Sequence, residues 1–266
     1  MPDSGFDLLS VSDSFVTARH TAQALPSYPG TMPATMAEAY ACQDRSIAAW
    51  GDRVAGWKIG LIAPALRPQY GAERLAGPVF AKAVWTAQPG APVSFPVFQG
   101  GFGAVEAEFV FKLARDIAPG NVVADVADLV AALHLGIEPA GSPFPEINDH
   151  GPAVVASDFG NNAGLIIGSE IVGWRERAWD SMRVRTIVDG AAVGEGSAAS
   201  VPGSPLAALA FLVEHCAKRG ITLKEGDWIT TGATTGIHQV QPGAVARVEM
   251  EGLPPIDAVA VPAVSR

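Results

Sequence analysis

The chain has 266 residues, is 48% hydrophobic and 17% charged, and carries a net charge of -9, which suits one large domain or two small ones with a real core. No basic stripe offsets the acidity, arguing against nucleic-acid binding, and no run of about 18 apolar residues is present to cross a membrane. The start MPDSGFDLLSVSDSF lacks the positive and apolar parts of a signal peptide, and Cys42 and Cys216 form no CxxC, so a cytoplasmic protein without a disulfide scaffold or thiolate zinc site is expected.

The first fifty residues read as helical. Residues 10–25 form a plausible first helix, followed by the breaker PSYPGTMP. A second helix begins at TMAEAYACQDRSIAAWGD, where Thr35 can cap and Glu38 stands three residues on, the spacing of a capping box. Strand-like segments then take over: RVAGWKIGL, PVSFPVF and AVEAEFVFKL. A helix is expected over DVADLVAAL, with two acids in its first turn. Short strands are expected at LHLGIEPA, AVVAS, AGLIIG and MRVRTIVDGAAV, the last holding the hairpin pair Asp189-Gly190. A further helix runs from Ser204 and Pro205 to Gly220, with Lys218 and Arg219 in its last turn. The tail DWITTGATTGIHQVQPGAVARVEMEG reads as strands joined by tight turns. Helices around a strand-rich middle predict an α+β fold with a helical region over 1–50 and a β-rich catalytic domain over 51–266.

The segment AVEAEFVF places two carboxylates in an apolar run. Side chains alternate along a strand, so Glu106 and Glu108 share a face with Val110, while Val105, Ala107, Phe109 and Phe111 take the other. Their Cβ atoms should lie roughly 6.5–7 Å apart. One reading is a half-buried strand with its polar face in water. The other is a pocket, because Gly100, Gly101, Gly103 and Ala104 leave open space beside the acids. Buried there, two ionised carboxylates require a cation, and such hard oxygens suit Mg2+ or Mn2+. Glu138, in HLGIEPA, is a candidate third ligand or an exposed strand-end acid. The five histidines show no i,i+4 pair, which gives no support to an HExxH zinc site.

Lys58 poses the reverse question, sharing its face with Gly56 and Gly60 while Trp57, Ile59 and Leu61 face away. It is either an exposed snorkelling residue or a base in a cramped pocket. Beside a metal its pKa would fall, poising it for proton transfer. Other patterns carry less. GGFGAVEAE lacks the third glycine and the helix of a dinucleotide loop, GATTG lacks the lysine of a phosphate loop, and no GxSxG elbow is present. Asp149 and His150 line a pocket or simply make a turn.

Taken in order, EAYACQ, GWKIGL, AVEAEFVF, GIEPA, DFGNNAGLIIG and GDWITTGATTG resemble the 2-keto-4-pentenoate hydratase / 2-oxo-3-hexenedioate decarboxylase group of the fumarylacetoacetate hydrolase superfamily. The resemblance implies a mixed β-sandwich roll and a divalent metal held by Glu106, Glu108 and Glu138, with Lys58 as active-site lysine. It further implies a homo-oligomer, possible pairing with a pathway decarboxylase or hydratase, and a small 2-oxo or 2-hydroxy-dienoate substrate. Asp158 matches a catalytic position of the family pattern, although Phe159 stands where asparagine is usual. Thr234 and Thr235 match the turn that contacts the substrate carboxylate; the other reading of that turn is a hairpin. Many relatives carry Pro-Asp-Phe-Gly where this chain reads LAGPVF (75–80), without an acid. Hydration leads, followed by decarboxylation and then C–C hydrolysis of an acylpyruvate; a decarboxylase would place a cation, Arg67, Arg74 or Lys82, opposite the metal end.

Overall fold

The computed structural model describes residues 5–265. Helices α1 (Leu8–Thr21) and α2 (Met36–Ala49) come first. They are followed by β1 (Val54–Leu61), the single turn α3 (Arg67–Tyr70), β2 (Arg74–Phe80), β3 (Val84–Thr86) and β4 (Val93–Val97). The long strands β5 (Phe102–Leu113) and β6 (Val130–Ser142) precede α4 (Pro152–Ser157) and β7 (Leu165–Glu170). The chain closes with β8 (Arg183–Val188), β9 (Ala191–Ser197), α5 (Pro205–Lys218), β10 (Trp228–Thr230), β11 (His238–Gln239), β12 (Val245–Met250) and β13 (Ile256–Pro262).

Local chemistry sets several of these boundaries. Asp7 accepts N–H bonds from Leu9 and Ser10, starting α1 earlier than the expected Ser10, and Ala22 ends it in a left-handed conformation. In α2 both halves of the Thr35/Glu38 capping box are made. The β8–β9 hairpin turns at Asp189 (φ 50) and Gly190 (φ 81), as that pair favours.

Two expectations are corrected. The helix expected over DVADLVAAL is one 3-10 turn, Val126–Leu129, after which the chain enters β6. Asp125 does cap that turn, but pairing with β5 from Phe102 to Leu113 overrides helix propensity. Conversely, AVVAS is helix α4 rather than a strand, started by Pro152 in its first turn and buried against α2.

Two sheets form the body. One runs β2-β1-β10-β5-β6-β7-β3, with β11 also on β5; the other runs β4-β13-β12-β8-β9. The main core lies between them: Trp57, Ile59, Val105, Ala107, Phe109 and Phe111 of the first sheet join Val184, Val248, Ile256 and Ala258 of the second and Leu209 and Leu212 of α5. The opposite face of the large sheet, which carries the acids, is covered by α1, α2, α4 and the segment 158–162. Gln43 of α2 ties this cover down, donating from Nε2 to the carbonyls of Ala76 (3.0 Å) and Ala156 (2.9 Å). No described helix is long and apolar enough to cross a membrane.

Candidate active site

The position of β10 creates the site. Its three residues wedge between β1, to which they run parallel, and β5, to which they run antiparallel. Past Thr230 the chain leaves the sheet and returns at His238, again on β5 and in the same direction. Residues 231–237 therefore face only residues 106–109, and the surplus chain bulges outward. This segment, GATTG included, is an excursion from one sheet edge and not a hairpin. Beyond the wedge β1 and β5 part, and a cavity of about 520 Å3 opens, lined by Lys58 on one side and Glu106 on the other.

Glu106 and Glu108 point to the same face of β5, and register sets Glu106 directly opposite Glu138 of β6. Donor oxygens of all three carboxylates lie within 4.8 Å of one another. All three side chains are buried, which rules out the reading of acids facing bulk water. Two of the carboxylates are anchored, each differently. Glu108 Oε2 accepts the backbone N–H of Thr231 and of Gly232, each at 2.7 Å, which the excursion frees from the ladder. Glu138 Oε1 accepts from Asn162 Nδ2 (3.0 Å) and stands 3.3 Å from Lys58 Nζ. Oε1 of Glu106 and Oε1 of Glu108 are buried without a hydrogen-bond partner among the described residues. Buried carboxylate oxygens left unsatisfied are costly.

Charge decides what could satisfy them. Three ionised acids and one lysine leave two negative charges on buried side chains, the charge of a single divalent cation. Without one, the acids resist ionising: burial, only partly offset by Lys58 and reinforced by Glu138, pushes Glu106 up to about 7. Burial together with Glu138 and Glu106 holds Glu108 well above the usual carboxylate range. The residues fit Mg2+ or Mn2+ as hard oxygen donors. The fall expected in the Lys58 pKa is one beside a metal ion; in the metal-free arrangement the direction is the opposite. Burial alone would lower it, but Glu138, Glu106 and Glu108 together outweigh burial, and the amine is held as an ammonium above its ordinary range.

The segment 158–162 closes the cavity over Lys58. Phe159, Gly160 and Asn161 are all left-handed (φ 54, 63 and 54), a strained run that persists only when its surroundings fix it. Arg19 of α1 does so. Its Nη2 donates to Asp158 Oδ2 (2.9 Å) and to the carbonyl of Gly141 (2.9 Å), and its Nη1 to that of Asn162 (3.1 Å). Asp158 also accepts from Ser142 Oγ at 2.6 Å. The Asp158 carboxylate is thus engaged with Arg19 and is not among the cavity-lining groups. Phe159 packs on Phe80 and Trp50, with ring centroids 5.0 and 5.4 Å away, so the polar contacts pass to its neighbours. Asn161 Oδ1 accepts from Lys58 Nζ at 3.3 Å, and Asn162 holds Glu138. Both asparagines and Arg19 escaped the reading of the sequence; the run DFGNNAG was the signal for the asparagines, and Arg19 had none. Replacing Arg19 by Met should cost about 3–5 kcal/mol in urea unfolding, because it strands the buried Asp158.

Gly77, within the acid-free stretch LAGPVF, allows this close approach. A Cβ there would stand 2.0 Å from the carbonyl oxygen of Phe159, so no side chain fits. Gly77→Ala should lower stability by about 3 kcal/mol or more in the same measurement, with the 158–162 segment displaced from Lys58.

The remaining expected residues divide. Thr234 is buried with its Oγ1 unpartnered among the described residues, and its N–H bonds to the carbonyl of Ala107 (2.8 Å). Thr235 Oγ1 instead meets Thr186 Oγ1 (2.7 Å) and His238 Nε2 (3.3 Å). Asp149 and His150 do not line the cavity, and His150 pairs with Glu146 at 3.1 Å. Of the three cations considered for the far end, only Arg74 lines the cavity.

Comparison with known proteins agrees with this fold. The fumarylacetoacetate (FAA) hydrolase C-terminal family model matches residues 67–260. The TodF product hydratase of Pseudomonas putida (strain F1) is 31% identical over 226 residues, covering 81% of this chain and 80% of the relative. The 2-keto-4-pentenoate hydratase of Burkholderia vietnamiensis is 28% identical over 205 residues, 76% of each chain. In three dimensions the chain resembles the 4-oxalocrotonate decarboxylase of Pseudomonas putida G7, solved with magnesium and adipate. Their TM-score is 0.77 at 22% identity, covering 96% and 97% of the two chains. With the family model matched across most of its length, over the same strands that bring the three glutamates together, the chain belongs to the fumarylacetoacetate hydrolase family.

Proposed function

We propose that this chain is a Mg2+- or Mn2+-dependent lyase that adds water to a 2-hydroxy-2,4-dienoate, giving a 4-hydroxy-2-oxo acid. The observation that carries the reading is the pair of buried, unpartnered oxygens on Glu106 and Glu108, set with Glu138 beside Lys58 at the wall of a cavity. Glu106, Glu108 and Glu138 would hold the ion. When bound, it supplies Lewis-acid stabilisation to negative charge on the substrate's 2-oxygen and 1-carboxylate. Lys58 Nζ, aimed by Asn161, donates a proton to the dienoate carbon chain as the keto form develops. Asn162 and Thr230 orient Glu138, while Thr231 and Gly232 orient Glu108. The family resemblance gives Thr234 the substrate carboxylate, although Thr231, Gly232 and Ala233 of the same segment line the cavity and Thr234 does not. Thr235 braces the same loop through Thr186. Asp158 is a positioning residue acting through the 158–162 segment. Ile62, Leu75 and Val155 give the cavity an apolar wall that excludes water from the hydrocarbon part. The family resemblance supports a homo-oligomer in the cytoplasm, working beside a decarboxylase or hydratase of the same sequence of reactions.

A second reading, decarboxylation of 2-oxo-3-hexenedioate, is favoured by one observation: strand β2 offers Arg74 to the cavity and no acid. The purified protein with Mg2+ should consume 2-hydroxypenta-2,4-dienoate, read as loss of dienol absorbance. CO2 release from 2-oxo-3-hexenedioate without hydration of the dienoate replaces the first reading by the second. Inertness toward both rejects the lyase.

A further inference from the structure

We propose that Asn148 is a positioning residue for proton delivery: it fixes the side-chain amide of Asn161, and through that amide the direction in which Lys58 Nζ presents its remaining N–H to the cavity. The inference deepens the preceding reading, in which Lys58 donates the proton, and rests on it for the effect on turnover.

A lysine ammonium carries three N–H donors and no acceptor. The described residues give Lys58 Nζ two oxygens, Glu138 Oε1 and Asn161 Oδ1, each 3.3 Å away. Two fixed contacts on a tetrahedral nitrogen set where the third N–H points; with Glu138 alone, the ammonium swings about a single contact. The lysine stem is hemmed in by the same segment, since a Cβ on Gly160 would lie 3.1 Å from Lys58 Cδ. The outer side of Asn161 then decides the orientation of its amide. Turned by half a rotation, that amide would set its NH2 group against an ammonium. Oδ1 therefore faces Lys58, and Nδ2 faces away, where it needs an acceptor. Asn148 Oδ1 is that acceptor, at 3.0 Å. Asn161 is only 3% exposed, and a buried amide donor left without a partner is costly. Asn148 thus selects the orientation in which the amide can hold the lysine.

The loop that carries Asn148 is held from below. The residue before it, Ile147, is fully buried and Phe144 nearly so, both in the cluster that includes Val11 and Phe15 of α1. The Asp149 N–H closes a turn on the Glu146 carbonyl (3.0 Å). Asn148 itself is exposed, lines the cavity together with Lys58 and Asn161, and makes its one side-chain hydrogen bond among the described residues to Asn161. Substituting an exposed loop residue changes stability little, so here positioning separates from folding.

The test pairs turnover with a measurement that needs no substrate. In the Mg2+-loaded protein, with whichever of the two acids it consumes, Asn148→Leu should lower kcat about tenfold and leave KM, Mg2+ affinity and melting temperature near wild type. Asn148→Asp, which keeps an acceptor oxygen, should recover most of the loss. The double variant Asn148→Leu/Asn161→Ala should lose no more than Asn161→Ala alone. In protein carrying isotope-labelled asparagine, the side-chain NH2 resonance of Asn161 is identified by its absence from Asn161→Ala. Its exchange with water should be about tenfold or more faster in Asn148→Leu than in wild type. Unchanged kcat in Asn148→Leu, a loss confined to KM, additive losses in the double variant, or wild-type exchange of the Asn161 amide each overturns the proposal. Asn148→Ala gives the same readings if the leucine variant does not fold. Inertness of the wild-type protein toward both acids removes the lyase reading and the effect on turnover together, and the exchange rate alone then decides whether Asn148 fixes Asn161.

Discussion

Metal-free Glu106→Gln protein is expected to melt several degrees above wild type at pH 8 and together with it at pH 4. The sign follows from the direction of the shift. Glu106 is raised by burial from an ordinary 4.5 to about 7, so the folded state holds a proton that the unfolded state has released. Stability is therefore full below the ordinary carboxylate pKa and is lost as pH rises from about 4.5 to about 7. Glutamine keeps the shape and cannot ionise, so the loss disappears; on the order of 2–3 kcal/mol is at stake. For a chain of this size that is several degrees. Saturating Mg2+ should return wild-type protein to the melting temperature of the variant or above, because the ion takes over the proton's role as counter-charge. The same variant should lose more than about a hundredfold in Mg2+-supported turnover. Thermal melts in EDTA across this pH range decide the matter. A metal-free wild type no more sensitive to alkali than Glu106→Gln would refute the buried-charge account.

The second large effect has the opposite sign. Lys58→Met should destabilise the metal-free protein by about 3–5 kcal/mol, since it removes the only cation that the described residues bring to the acid cluster. Mg2+ should restore most of that loss, and its affinity should hold or rise, because the acids then lack a competing positive charge. Turnover should nevertheless fall by about 10²–10⁴, the range for a proton-transfer group. Stability, Mg2+ affinity and turnover at saturating Mg2+ separate the two roles of the lysine. A refolded, Mg2+-loaded Lys58→Met protein with near wild-type turnover would leave Lys58 as a counter-ion alone.

These opposed signs arise from one feature, the burial of the cluster under α1, α2 and the 158–162 segment. The N-terminal helices are more than packing, because Arg19 of α1 holds the strained run that presents Asn161 to Lys58 and Asn162 to Glu138. The route from the first helix to the lysine passes through two hydrogen-bonded side chains and a short stretch of backbone.

Much of this was legible in the residues where the physics is local. The alternation in AVEAEFVF needs only the two-residue period of a strand to put Glu106 and Glu108 on one face, and the observed core takes Val105, Ala107, Phe109 and Phe111. The same period sorted Lys58 from Trp57 and Ile59. Thr35 with Glu38, and Asp189 with Gly190, are short-range hydrogen-bond and dihedral preferences, and both appear as read. Glu138, by contrast, was open to two readings as a candidate third ligand or an exposed acid, and only the resemblance to a family grouped it with the other acids. No spacing along the chain states that residue 138 stands opposite residue 106.

What the amino-acid sequence determined by itself was the set of short-range choices: which face a side chain takes on its strand, where helices are capped, and which segments are apolar enough to be buried. Tertiary structure alone decided that DVADLVAAL becomes mostly strand, that Asp158 is engaged with Arg19, that Lys58 is held charged, and that Arg74 lines the cavity. Each of these depends on partners many residues away, whose pairing energies exceed local propensity and whose charges, in a buried site, act with little screening.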